Sequence, residues 1–158
     1  MEIERKFLVY NQPRLPRASK LIRQGYLAID DNAASSVRVR QRGHEHTLTV
    51  KAGAQGISRH EVELEISGEE FEELWPLTHG SRLAKRRFVI VYGADRIEFD
   101  LFLAGPLDGL MLAEVEFDSV EQAQAFTPPP WFDREVTLEP MFTNAWMARY
   151  GNPLHQNK

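Results

Sequence analysis

The chain contains no cysteine. Disulfide frameworks, zinc–thiolate sites and cysteine nucleophiles are therefore excluded, and the composition suits a reducing compartment. Long apolar runs are also missing: nothing approaches the ~20 residues of a membrane-spanning helix. The opening residues, MEIERKF, are charged and carry no apolar signal-peptide core. The expected location is cytoplasmic, with no membrane partner. Histidine is sparse, with five scattered along the chain and no metal-type spacing. His44, His46, His79 and His155 are expected at the surface, and His60 on an apolar face as a structural residue. A strong charge of one sign is absent too. The net charge of −4 offers no general attraction to nucleic acid, so an anionic partner needs a local basic cluster. There is no internal repeat, low-complexity tract or obvious linker. The 158 residues are expected to form one domain spanning 1–158, ending in a polar tail from about 151.

What the chain does have is period-2 alternation, the mark of strands with two different faces. Candidate strands are 2–9, 20–29, 36–42, 46–51, 58–66, 84–92, 95–103 and 112–117. RGHE at 42–45 and YGAD at 92–95 suit tight hairpins, where glycine accepts positive φ. DDNAAS at 30–35 and AGAQGI at 52–57 read as longer, mobile loops. Helical signals come later and are short. Ser67 with Glu70 forms a capping-box pattern before EEFEELW, and Ser119 with Gln122 repeats it. TPPPW at 127–131 cannot be helical throughout, and a last helix is expected over about 141–150. Trp75, Trp131 and Trp146 are read as core or interface aromatics. The order is mainly β (α+β) and antiparallel, unlike the regular alternation of a doubly wound fold.

The charges fall on single faces. Glu2, Glu4 and Lys6 oppose Ile3, Phe7 and Val9, with Arg5 the odd member. Arg38, Arg40 and Arg42 oppose Val37 and Val39, and Lys51 opposes Val50. Glu61, Glu63 and Glu65 oppose Val62, Leu64 and Ile66. Arg96, Glu98 and Asp100 oppose Ile97, Phe99 and Leu101, while Glu114 and Glu116 oppose Val115 and Phe117. Lys85 and Arg87 share a face of a mixed strand. For any one strand, a solvated sheet face explains this, and Glu65, Arg42, Arg59 and Arg96 are read that way. The repetition asks for more. Carboxylates at i and i+2 stand roughly 7 Å apart and repel by about 2 kcal/mol at an effective dielectric near 20. A hard divalent cation reverses the sign of that energy, since Mg²⁺ takes oxygen ligands and keeps phosphate oxygens in its shell. Arginine forks and lysine ammoniums on neighbouring strands match phosphate. A closed sheet with acids on one wall and bases on another would hold a polyanion together with its metal. Its apolar outer faces would then need cover from the short helices or from a second subunit, which leaves a homodimer open.

At this point the residues resemble a known family. MEIERKF is similar to the Glu-x-Glu-x-Lys signature of the CYTH superfamily, the triphosphate tunnel metalloenzymes. RQGYL, VRVR, LTVK, SRHEVELEI, AKRRF, EFD and LAEVEF follow in the family's order. The length and FTPPPWF look most like short bacterial members that hydrolyse inorganic tripolyphosphate. The resemblance implies an eight-stranded antiparallel closed β-barrel, a tunnel open at both ends with a polar interior and a few short helices outside. Carried over by position, it implies Glu2, Glu4, Glu114 and Glu116 as principal ligands of Mg²⁺ or Mn²⁺, assisted by Glu61, Glu63 and Asp100. Lys6, Arg38, Arg40, Lys51, Lys85 and Arg87 would hold the phosphates. Where some relatives carry a basic residue in the C-terminal helix, this chain has Thr143 before Asn144, leaving Arg149 as a substitute. Glu4, Lys51 and Tyr26 are the candidate catalytic residues, Lys51 and Tyr26 because both point to the polar faces of their strands. The implied activity is metal-dependent hydrolysis of a linear triphosphate to pyrophosphate and phosphate. Adenylate cyclase, thiamine triphosphatase and RNA triphosphatase activities lie in the same superfamily. A polyphosphate- or nucleotide-binding module without turnover is the reading from a different class.

Overall fold

The structure is a computed structural model that describes residues 2–30, 35–52 and 58–156. The expected loops at 30–35 and 52–57 fall largely outside these residues. Eight strands form: β1 (Glu2–Leu8), β2 (Lys20–Ile29), β3 (Ser36–Arg42), β4 (Glu45–Ala52), β5 (Ser58–Glu65), β6 (Arg82–Tyr92), β7 (Asp95–Leu103) and β8 (Met111–Glu116). Each lies within two residues of the boundaries that alternation predicts. Three short helices follow, α1 (Gly68–Leu74), α2 (Val120–Ala125) and α3 (Asn144–Tyr150). The Ser67 hydroxyl accepts the Glu70 N–H while the Glu70 carboxylate accepts the Ser67 N–H, a complete capping box. At α2 the box is only half made: Ser119 accepts from Gln122, but the Gln122 side chain accepts from Asp118 instead of the cap. No helix among the described residues is long and apolar enough to cross a membrane.

All pairings are antiparallel, and the strands follow one another in ring order β1-β5-β4-β3-β2-β6-β7-β8. The closed barrel expected from the sequence is corrected at the last seam. There, among the described residues, β1 and β5 pair only at Glu2 with Arg59 and Ile3 with Ser58. The result is a curled, half-barrel sheet whose two ends touch at one corner. The cause lies in another segment. Beyond Ile3, the free edge of β1 is taken by residues 133–137. The Leu8 N–H donates to the Arg134 carbonyl at 2.9 Å, and Val136 and Asp133 donate to the Lys6 and Leu8 carbonyls at 2.8 Å each. Phe7 bridges to Glu135. An edge already satisfied by one strap has no donors left for β5.

The expected passage through both ends is corrected too. Leu8, Leu83, Phe102 and Leu112 share the inward parity of the charged residues, and they form one buried cluster with Val136, Phe142 and Met147. This cluster fills one end of the curl. A second cluster lies outside, where Phe7, Val9, Ile97, Phe99, Ala113 and Val115 are covered by Phe126, Trp131 and Phe132. The proline run supplies this cover. Burying each such side chain contributes roughly 1.5–3 kcal/mol. Across β4 and β5 the outer face stays bare, with Val62 at 47% and Leu64 at 56% exposure. His60 is exposed there, whereas His46 is half-buried with its ring 5.2 Å from that of Phe71. The tail is also less free than expected, since Gly151, Asn152 and Pro153 are buried.

Candidate active site

Inward-facing charges from six strands converge on a narrow chamber of about 70 Å³. Glu2, Glu4, Lys6, Tyr26, Arg38, Arg40, Lys51, Arg87, Glu114 and Glu116 line it, together with Glu98 and, from the C-terminal segment, Thr137, Thr143 and Asn144. A wider vestibule of about 630 Å³ shares Glu2, Arg38, Arg40 and Glu116 with the chamber and adds Arg42, Glu61, Glu63 and Arg96. Arg42 and Arg96, read from the sequence as solvated surface charges, thus stand at the mouth.

Strand register builds the acidic wall. Glu4 pairs with Glu116 across β1 and β8, and carboxylate oxygens of Glu2, Glu4 and Glu116 lie within 4.8 Å of one another. Burial and the neighbouring Glu114 push the Glu4 carboxyl up to about 6. Burial, with Glu98, Glu2 and Glu4 close by, pushes Glu116 up to about 7. Glu2 is raised as well, first by burial and then by its contact with Glu61, although Lys51 donates to it at 3.0 Å. Burial and the crowding of like charges outweigh the nearby lysines, so these acids hold their protons more tightly.

The other acids behave differently. Burial alone would raise Glu114, but Lys6, Lys85 and Arg87 hold it well below the usual range. Asp100 is buried and fully engaged: Arg87 donates to both of its oxygens at 2.8 Å, and the Lys85 ammonium stands 2.6 Å away. Those cations outweigh burial and lower its carboxyl. Asp100 therefore sits behind the chamber wall as the support for Arg87, and Lys85 holds the same carboxylate. Burial, opposed by Asp100, pushes the Lys85 ammonium down to about 7. Glu61 and Glu63 face the vestibule, with Glu61 3.9 Å from Arg38 and Glu63 accepting from Thr49 at 3.3 Å.

The basic wall is under-neutralised. Arg38 is 5% exposed, and its Nε is a buried donor with no hydrogen-bond partner among the described residues. Burial, with Arg38 and Arg87 close by, pushes Arg40 down to about 9. A guanidinium stays charged in a protein, so this marks positive charge that its neighbours do not balance. Lys51 is raised despite burial, because Glu4, Glu2 and Glu61 surround it. Those carboxylates outweigh burial and the nearby Arg38, so in the free protein it is a cation and not a base.

Sequence parity located nearly all of these groups and missed four partners. Glu98, 3.2 Å from Arg87, shares the face of Asp100 and was legible by the same parity. Gln24, buried between Arg40 and Tyr26, shares the face of Tyr26. The Phe142 carbonyl, accepting from Lys6 at 3.0 Å, and Asn144, accepting from Lys85 at 3.4 Å, come from a distant segment and left no local signal. Arg149 lies outside, lining a groove between α3 and the β7–β8 connection.

Comparison with known proteins agrees with this geometry. An inorganic triphosphatase of Nitrosomonas europaea is 44% identical over 148 residues, covering 93% of this chain and 96% of that protein. An inorganic triphosphatase of Acetivibrio thermocellus is 38% identical over 150 residues, covering 94% and 93%. A crystal structure of an inorganic triphosphatase, 41% identical, covers 94% of this chain and 95% of that chain with a TM-score of 0.69. The CYTH domain model matches residues 1–127, and the chain belongs to the CYTH family.

Proposed function

We propose that this protein hydrolyses inorganic triphosphate to pyrophosphate and phosphate in a reaction that requires Mg²⁺ or Mn²⁺. The observation that carries this reading is the facing of two unbalanced walls in one chamber. Three carboxylates with raised proton affinity stand together, opposite arginines that include a partnerless buried donor. A module that only held a polyanion would gain nothing from the acids. An all-oxygen donor set of this kind fits a hard divalent cation, with Glu2, Glu4 and Glu116 as the residues that would hold it. Bound there, the ion supplies the charge that draws phosphate oxygens to the acidic wall and offsets charge built up during displacement.

The chain's own residues do the rest. Arg38, Arg40 and Arg87 bind and orient the phosphates, and Asp100, itself held by Lys85, fixes Arg87 from behind. Lys6 and Lys51 add point charges on either side of Glu4. Phosphoryl transfer depends chiefly on such positioning and charge stabilisation. Lys51, whose ammonium donates to Glu2, is the chamber residue suited to proton transfer near the attacking water, since a metal held by Glu2 and Glu4 would loosen their hold on its proton. The buried end cluster excludes water from the opposite side.

Phosphate release from tripolyphosphate, ATP and thiamine triphosphate, measured with Mg²⁺, Mn²⁺ and EDTA, tests the proposal. Tripolyphosphate is expected to be the best substrate, with no release in EDTA. Glu4→Gln and Glu116→Gln are each expected to lose at least 100-fold in kcat. Full turnover in EDTA, or in both variants, removes the metal from the reaction. Tight binding without release under every condition leaves only a binding module.

A further inference from the structure

The geometry points to Gln24 as the positioning residue that aims the Tyr26 hydroxyl proton into the chamber, making Tyr26 a hydrogen-bond donor to the phosphate chain. Gln24 is completely buried on β2, and Tyr26 is 4% exposed. The Gln24 side chain makes two hydrogen bonds. Its Oε1 accepts from Arg40 Nε at 2.9 Å, and its Nε2 donates to Tyr26 Oη at 2.9 Å. The chemistry of the partners fixes this orientation. A guanidinium can only donate, so the amide oxygen must face Arg40. The amide nitrogen must then face Tyr26, and the phenol oxygen must accept. A tyrosine that accepts from Gln24 keeps its own proton for a third group. No other partner of Oη exists among the described residues, and the side chain lines the chamber.

The backbone serves the same end. The β2–β3 register shifts between Tyr26 and Ala28, a bulge that leaves Leu27 unpaired directly after Tyr26. Bulges re-aim side chains beside functional sites. On the far side, the Tyr26 ring rests on Ala145 of α3. One amide thus couples a cation that binds phosphate to a neutral donor that meets it. The role rests on the triphosphatase reading, but the contact itself does not.

Gln24→Glu separates the two halves of the amide. A carboxylate still accepts from Arg40, yet at the Tyr26 end it turns a donor into an acceptor and captures the phenol proton. Three results are expected. The ¹³Cζ resonance of Tyr26 moves in the substrate-free Gln24→Glu and Gln24→Met proteins. Adding tripolyphosphate moves that resonance in the wild-type protein and no longer does so in Gln24→Glu. In steady-state assays, Gln24→Glu and Tyr26→Phe each lose on the order of 100-fold in kcat, and the double variant loses no more than either alone. An unmoved resonance in both substrate-free variants overturns the contact. Normal turnover in Gln24→Glu, or losses that multiply in the double variant, overturns the positioning role. If the wild-type protein does not hydrolyse tripolyphosphate, the activity reading falls, and the substrate-free resonance still decides the contact.

Discussion

Glu4 and Glu116 carry carboxyls raised to about 6 and about 7 from an ordinary value of 4.5. Both bind protons more tightly in the folded chain than in the unfolded one. The stability they contribute is therefore fully present below about pH 4.5 and is lost as pH rises through 6 and 7. Asp100 and Glu114 have the opposite sign. Their contribution is present above the usual carboxylate range and fails only in stronger acid, outside this window. Lys85, lowered to about 7, is mostly charged through pH 6 and half charged near pH 7, so it opposes the fall only at the top of the window. The melting temperature of the protein in EDTA should thus fall between pH 5 and pH 7. A divalent cation binds only the ionised carboxylates, so excess Mg²⁺ should flatten or reverse the slope. Thermal unfolding at several pH values, with and without Mg²⁺, checks this. A melting temperature in EDTA that climbs across the window would contradict the crowding of these acids.

Among elements, the strap at 133–137 decides the shape of the sheet, and Arg5 decides the strap. The Arg5 guanidinium grips Glu135 through both oxygens, at 2.7 and 3.0 Å, and donates to the Ala123 carbonyl at 2.8 Å. It also lies over the rings of Phe7 and Phe126. Arg5→Met should cost about 2 kcal/mol, the range of hydrogen bonds to charged groups with one partner half exposed. Hydrogen exchange should quicken at the Lys6 and Leu8 amides, which donate to the strap. The Phe7 amide, on the edge toward β8, should change little. Equal acceleration at all three would mean that β1 opens as a whole. From sequence alone, Arg5 was simply the residue that broke the alternation of MEIERKF. Strand existence was legible because each strand carries its own period-2 pattern. The competition between β5 and residues 133–137 for one edge was not, because the rivals lie some 70 residues apart and neither signals the other.

For the whole molecule, the telling feature is a gradient along the inward face. β1 runs Glu2, Glu4, Lys6, Leu8, and β7 runs Glu98, Asp100, Phe102: charge at one end and hydrocarbon at the other on the same parity. Parity alone placed the charged residues inside but could not show where the chamber stops, since the plug needs Val136, Phe142 and Met147 from the C-terminal segment. That blind chamber gathers several cations, and one of them, Arg38, has a buried Nε with no hydrogen-bond partner among the described residues. Among the described residues Arg38 has one long ion pair, to Glu61 at 3.9 Å, and its positive charge works against both Arg40 and Lys51. Its presence is a cost to the free fold that an anionic ligand removes. Arg38→Met should therefore leave the free protein as stable as wild type or more so. Mg²⁺-pyrophosphate at 100 times its Kd should stabilise the wild-type protein by about 2.7 kcal/mol, or about 5–10 °C for a chain of this size. The same concentration should stabilise Arg38→Met far less. Calorimetry of both proteins with and without ligand gives the four melting temperatures required. A free variant several degrees below wild type would make Arg38 a structural residue. Equal ligand shifts in the two proteins would take it out of the anion site.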